Sequence, residues 1–148
     1  MFETLAAQLL GQKNSIRFRA AGSSMRPFIL DGDDVEIQPV APPTLKRGDI
    51  VLICLSSGRL LLHRVVQVRP HKFLIQGDAL LVADGWVDSD QVLGKVSAIY
   101  RQGKHIDPAA PLRMRLGWLW LAVAPLRCRF QPGLQALWRV VHRRKPNL

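Results

Sequence analysis

Hydrophobic and polar residues alternate along the middle of this chain, and this alternation limits the fold more than any other feature of the sequence. In SIRFRAA, Ile16, Phe18 and Ala20 alternate with two arginines, and DVEIQ at 34–38 repeats the pattern. A period of two is typical of β-strands with one buried face. Four more apolar runs follow, namely DIVLICL (49–55), RLLLHRVVQV (59–68), KFLIQ (72–76) and QVLGKVSAIY (91–100).

Turn residues separate these runs, at Ser-Ser-Gly 56–58, at Pro70-His71 and in a loop over 77–90. No long helical pattern occurs before residue 112. Short strands joined by short turns indicate an antiparallel sheet that curls or closes. We therefore predict a mainly β domain at 16–107, preceded by a short amphipathic helix within 1–15.

The charge of the chain is concentrated at its C-terminal end. Residues 1–107 hold 13 Lys and Arg against 11 Asp and Glu, whereas residues 108–148 hold 8 Lys and Arg and no acidic residue. A basic segment of this kind favours an anionic partner. We predict a near-neutral β domain followed by a basic, tryptophan-containing helical tail at 108–148.

The tail contains an apolar run at 116–126, and its 11 residues are fewer than the roughly 20 of a spanning helix. Tryptophans flanked by arginines within 112–148 favour a segment that lies at a membrane surface. The alternatives are a helix pair packed over the β domain and a partner interface. Nucleic acid is not an expected partner, because no nucleic-acid-binding motif accompanies the basic residues.

The two cysteines, Cys54 and Cys128, show neither metal-ligand spacing nor a disulfide framework. We predict two free thiols and no metal site.

The segment AAGSSMRP, 20–27, places two serines between a strand and a proline. The chain is expected to turn there, which would expose a hydroxyl beside free backbone N–H groups. A serine needs a neighbouring base and oxyanion donors to act as a nucleophile, and serines in turns usually only bond the backbone. The segment alone therefore leaves both roles open.

His63 interrupts the aliphatic run LLLHRVV, and Asp78 and Asp84 follow in QGDALLVADGW. An imidazole in such a strand can serve as a base if a carboxylate orients it, and either aspartate could do so. The alternatives are a histidine at a strand edge with its tip in water and aspartates that only form turns. The serine, the histidine and the aspartates together favour a catalytic role more strongly than any one of these residues does alone.

The motifs GSSMRP, LDGDDV, LKRGDIVLI, LLLHRVV, FLIQGDALLVAD and VLGKVSAIY occur in the order found in the signal-peptidase and LexA-type serine peptidases, and the chain resembles this group over residues 16–100. Many bacterial members have lysine where this chain has His63. Histidine there is similar to the catalytic subunits of eukaryotic and archaeal signal peptidases. The resemblance implies coiled antiparallel β-sheets and a serine endopeptidase that needs no cofactor.

The resemblance also implies roles for individual residues. Ser24 would be the nucleophile and His63 its general base, while Asp84, with Asp78 in support, would orient the imidazole. Ser23 and Met25 would contribute to oxyanion or substrate binding.

The chain departs from the family at two points, one in the oxyanion site and one at the N-terminal end. Gly22 stands where signal peptidases commonly carry an oxyanion-binding serine, so the oxyanion site is expected to rest on backbone N–H groups. The 23 residues before Ser24 hold neither a membrane anchor nor a helix-turn-helix domain.

We therefore expect a cytoplasmic peptidase, peripheral at the inner membrane face, that cleaves an extended precursor or leader peptide. The alternative is a catalytically silent peptide-binding module or a membrane-surface adaptor that acts through the tail.

Overall fold

The strands of the protein form one antiparallel sheet. The computed structural model describes residue 10, residue 12 and residues 14–123, which include eight strands, two 3-10 turns and one α-helix. The strands are β1 (Ile16–Arg19), β2 (Asp34–Gln38), β3 (Ile50–Cys54), β4 (Leu60–Arg69), β5 (Lys72–Gln76), β6 (Gly85–Asp88), β7 (Val92–Arg101) and β8 (Lys104–Ile106). The 3-10 turns are Pro42–Thr44 and Ser89–Gln91, and helix α1 spans Pro111–Ala122. The prediction of a mainly β, antiparallel fold is confirmed.

The strand order is β1-β2-β7-β3-β4-β5-β6, and β8 also pairs with β7. Because β7 lies between β2 and β3, it joins the N-terminal strands to the rest of the sheet. The pairing register shifts at 36–37, at 52–53 and at 65–67. Such irregularities bend strands and increase their twist.

Two clusters of buried apolar side chains form the core of the described residues. The first cluster contains Leu10, Ala20, Met25, Ile29, Val35, Ile37, Ile50, Leu52, Val96 and Ile99. The second contains Leu45, Val51, Ile53, Val65, Phe73, Ile75, Val87 and Val92. Burial of one such large side chain stabilises the fold by roughly 1.5–3 kcal/mol. Successive residues of β3 enter different clusters, which explains why its sequence is continuously apolar.

The predicted apolar runs coincide with β3, β4, β5 and β7 to within one residue at their ends. The prediction of a loop throughout 77–90 was wrong, because β6 lies within it and pairs with β5. Only Val87 of the four β6 residues is buried, so the strand is too short to show an alternating pattern. The short strand β8 was also not predicted.

Parts of the predicted terminal segments lie outside the described residues. Of the N-terminal helix at 1–15, Leu10 is described and is buried in the first cluster. Of the tail at 108–148, residues 124–148, and Cys128 with them, lie outside. Cys54 is a free thiol. Within the described ranges, no helix combines the length and the apolar character required to cross a membrane.

Candidate active site

Ser24 lies in a loop between β1 and β2 whose two ends are held together by backbone hydrogen bonds. The N–H of Ala20 donates to the carbonyl of Asp33 at 2.7 Å, and the N–H of Gly32 donates to the carbonyl of Ala20 at 2.9 Å. Gly22 adopts a left-handed φ of 97°, which favours glycine, and its N–H donates to the Asp31 carboxylate at 2.8 Å. These bonds hold the serine loop in a defined shape beside the sheet.

A half-buried ion pair fixes this loop to β7. The Arg101 guanidinium contacts the Asp33 carboxylate at 2.8 and 3.0 Å and also donates to the carbonyl of Phe28 at 3.2 Å. Burial alone would raise the pKa of Asp33, but hydrogen bonds from Arg101 and from the Leu30 N–H, together with the arginine charge, hold the pKa below its ordinary value. Asp33 is therefore an ionised anchor of the serine loop.

His63 lies where β4 changes partners. Residues 60–64 of β4 pair with β3, and residues 64–69 pair with β5. The His63 side chain is only 3% exposed. A strand paired on both sides of this point thus holds the imidazole, and Asp84 in the loop after β5 contacts it.

Asp84 supplies a carboxylate to this histidine. Its Oδ2 lies 2.9 Å from Nδ1 of His63 and also accepts a hydrogen bond of 3.1 Å from the N–H of Gly77. The oxygen is close to Nδ1 but poorly aligned with the ring N–H direction. The Gly77 bond fixes the carboxylate, so Asp84 is placed to orient the imidazole. It is the aspartate in contact with Nδ1.

The other ring nitrogen of His63 faces the serine loop. A Cβ added at Gly77 would lie 3.1 Å from Nε2 of His63 and 2.8 Å from the carbonyl oxygen of Ser24. Nε2 of His63 and the carbonyl oxygen of Ser24 therefore both lie next to Gly77. A side chain at this position would collide with them, so a glycine is required. In the described part of the chain the Ser24 hydroxyl does not hydrogen-bond His63. Catalytic hydrogen bonds commonly tighten only when substrate binds.

His63 has the protonation behaviour of a base. Burial lowers its pKa below the ordinary value of 6.5, and the negative charges of Asp84 and Asp78 raise it only in part. The positive charge of Arg59 lowers the pKa further. The imidazole is therefore neutral at neutral pH and can accept a proton.

Asp78 binds Arg64 through both carboxylate oxygens. Nε and Nη2 of Arg64 donate to them at 2.7 and 2.8 Å, and Nη1 donates to the carbonyl of Gly48 at 2.8 Å. The Asp78 side chain is fully buried. Its carboxylate thus satisfies a buried guanidinium, and its negative charge acts on His63 from a distance.

Reasoning from the sequence missed Arg64, although a signal was present. A buried strand rarely contains a charged residue that lacks a partner, so the arginine that follows His63 in LLLHRVV indicates a buried carboxylate nearby.

The two residues that flank Ser24 differ in their surroundings. Ser23 is exposed, whereas the Met25 side chain is buried in the first cluster. Among the described residues, the backbone N–H groups of Ser24 and Met25 have no acceptor. Two free N–H groups beside a hydroxyl can bind an oxyanion.

A groove of about 300 Å³ runs past Ser24. Its floor and walls are mainly apolar, and Arg19 and Arg59 lie along it. The lining residues come from β1, the serine loop, Leu52 of β3, and residues 59–62 at the start of β4. The groove is therefore next to Ser24 and bordered by strands β1, β3 and β4.

In the described ranges, no group of three or more His, Cys, Asp or Glu side chains is arranged to hold a metal ion. Comparison of the chain with protein-family models gave no match, and comparison with curated proteins gave none either.

Proposed function

We propose that the protein is a serine endopeptidase in which Ser24 is the nucleophile, His63 the general base and Asp84 the carboxylate that orients the base. The observation that carries this proposal is the position of one buried imidazole, with Nδ1 at 2.9 Å from Asp84 and Nε2 next to the backbone of Ser24. A serine in a turn or a histidine in a strand is common. Here both lie around a single glycine, and Asp84 contacts the other ring nitrogen of the histidine, which supports a Ser-His-Asp arrangement for acyl transfer.

The proposed reaction proceeds in two stages. Oγ of Ser24 attacks the scissile carbonyl carbon while its proton moves to Nε2 of His63, and Asp84 stabilises the resulting imidazolium. The imidazolium then gives the proton to the leaving amine as the C–N bond breaks, which leaves an acyl-enzyme. A water molecule, deprotonated by His63, hydrolyses this ester, releases the new carboxyl terminus and restores Ser24.

The free N–H groups of Ser24 and Met25 are the proposed oxyanion donors, with Ser23 beside them at the rim. Gly22 has no hydroxyl to add. Removal of a single oxyanion donor in other hydrolases costs roughly 10²–10³ in kcat, so these backbone groups would carry a large part of the rate enhancement.

The groove supports an extended peptide as substrate. Strand β1 pairs only with β2 in the described sheet, and the 60–63 part of β4 pairs only with β3. Each therefore has a backbone edge to which an extended peptide can add. Resemblance to signal-peptidase and LexA-type enzymes implies small side chains before the cut. A precursor or leader peptide is the proposed substrate.

We propose the same family for the fold. The antiparallel sheet and the order of the six motifs along it support coiled sheets of the signal-peptidase and LexA type.

A second candidate function is attachment to a membrane surface through the tail. Leu112, Leu116 and Leu119 are exposed on α1, and their spacing places them on one face of the helix. The tail has a net charge of +8, which favours anionic lipids. We propose a cytoplasmic protein, peripheral at the inner membrane face, and this attachment would serve an active peptidase or a silent peptide-binding adaptor equally well.

The deciding experiment is a mass-spectrometric cleavage assay on a mixed peptide library, with and without anionic liposomes. It compares the full chain with Ser24→Ala and His63→Ala, and uses Ser57→Ala, at an exposed turn, as the matched control. Cuts made by the wild type and the control, and missing from both active-site variants, would support the proposal. Cuts that persist in Ser24→Ala would refute it, and a folded wild type that cuts nothing but binds peptides or liposomes would favour the adaptor.

A further inference from the structure

Helix α1 touches the loop that builds the proposed active site. Nε1 of Trp120 donates a hydrogen bond of 2.8 Å to the backbone carbonyl of Asp78. The contact joins residues 42 positions apart, and the indole is partly buried there. A helix beyond the last strand thus holds a peptide group in the loop between β5 and β6.

The residues on either side of Asp78 contact the proposed catalytic groups. The N–H of Gly77 donates to the Asp84 carboxylate at 3.1 Å, and the N–H of Ala79 donates to the carbonyl of Ser24 at 2.8 Å. Trp120 therefore binds the Asp78 carbonyl between two backbone groups that contact the proposed site. The Gly77 N–H fixes the Asp84 carboxylate, and the Ala79 N–H fixes the backbone of Ser24.

A second contact joins the same helix to the strand of the base. A Cβ added at Gly117 would lie 3.2 Å from Cζ and 3.3 Å from Nη1 of Arg64. The guanidinium cannot move aside, because Asp78 and the carbonyl of Gly48 hold it through three hydrogen bonds. Arg64 directly follows His63 in β4. The absence of a side chain at Gly117 therefore lets the helix approach the back of the proposed site closely.

We propose that α1 is a positioning element of the active site and that Trp120 is a positioning residue for Ser24 and Asp84, acting through the Asp78 peptide. This inference rests on the proposed peptidase function. The helix fixes the loop from outside the groove, so its contribution appears in the arrangement of the catalytic groups rather than in substrate binding.

The test is Trp120→Phe, which keeps an aromatic ring, smaller than the indole, and removes the N–H donor. Trp86→Phe is the matched control, because the Trp86 indole lies in β6 and packs against Arg69, an exposed residue at the end of β4. A misplacement of about 1 Å can cost roughly 10²-fold in rate, so a smaller displacement is expected to cost roughly tenfold. We expect Trp120→Phe to lower kcat by about this factor with little change in KM, to slow labelling of Ser24 by a fluorophosphonate, and to shift the NMR-measured pKa of His63.

Gly117→Ala provides a second variant that separates positioning from loss of helix stability. Alanine is a better helix former than glycine, so the helix itself is not weakened, yet the added methyl pushes α1 away from Arg64. We expect kcat to fall in this variant as well. A folded Gly117→Ala or Trp120→Phe protein with the kcat and the His63 pKa of Trp86→Phe would overturn the inference. If the wild type neither cleaves nor labels, the proposed function fails, and the His63 pKa still decides whether the helix positions the loop.

Discussion

The charge of Asp84 is predicted to stabilise His63 at the moment when the histidine takes the proton of Ser24. Asp84→Asn removes this charge and keeps the shape of the side chain. The amide oxygen can occupy the position of Oδ2, which lies 2.9 Å from Nδ1 of His63 and 3.1 Å from the N–H of Gly77. The substitution therefore tests the electrostatic role of the carboxylate with little change in packing.

The size of the effect follows from the charges. Two unit charges about 4 Å apart attract each other by about 4 kcal/mol at an effective dielectric constant near 20. The Asp84 side chain is 28% exposed, so solvent screens part of this attraction and about 2 kcal/mol is expected to remain. This free energy, lost from the transition state, corresponds to a decrease in kcat of roughly 30-fold.

The assay is the pH dependence of kcat/KM for cleavage of the best library peptide. Asp84 raises the pKa of His63, so its neutralisation should move the acid limb of the profile to lower pH while the plateau falls. Asp88→Asn, at an exposed carboxylate, is the control and should leave both features unchanged. A plateau and an acid limb equal to those of the wild type would refute the assignment of Asp84.

Three further predictions concern the surroundings of the base. Arg59→Gln removes a positive charge that lowers the pKa of His63, so the acid limb of kcat/KM should move to higher pH. Asp78→Asn leaves the buried Arg64 guanidinium without its counter-charge and should reduce the free energy of unfolding by about 3–5 kcal/mol, measured by urea denaturation. Gly77→Ala places a methyl group 2.8 Å from a backbone carbonyl of the serine loop, so it should lower kcat roughly 100-fold and cost about 1–3 kcal/mol of stability; wild-type values for both would contradict this geometry.

The sequence predicted those parts of the fold that depend on local pattern. Alternation in β1 and β2 and apolar runs in β3, β4, β5 and β7 are properties of consecutive residues, so they could be located without a structure. Strand β6 could not, because a four-residue strand with one buried side chain depends on its pairing with β5. Because tertiary contact with β5 decides whether this strand forms, its four residues alone do not predict it.

The same distinction between local sequence pattern and tertiary contact applies to the candidate site. His63 could be noticed as a polar residue within an aliphatic strand, whereas Ser24 was chosen by the resemblance, because a serine in a turn is common. The residues alone left the choice between Asp78 and Asp84 open, and only the resemblance favoured Asp84. Both aspartates follow the same strand, so the path of the loop decides which of them lies at Nδ1. Trp120 could not be predicted at all, since its hydrogen bond links segments 42 residues apart.

Asp78 and Asp84 have different partners because of the geometry of a strand. Adjacent residues present their side chains to opposite faces, so one carboxylate cannot serve both His63 and Arg64. A buried, unpaired guanidinium next to the base would depress the pKa of His63 further and make it a weaker base. Asp78 neutralises that charge and itself raises the pKa of His63, while Asp84 remains in contact with the imidazole. Asp78 thus limits the loss of basicity that burial imposes on His63 at this point of the sheet.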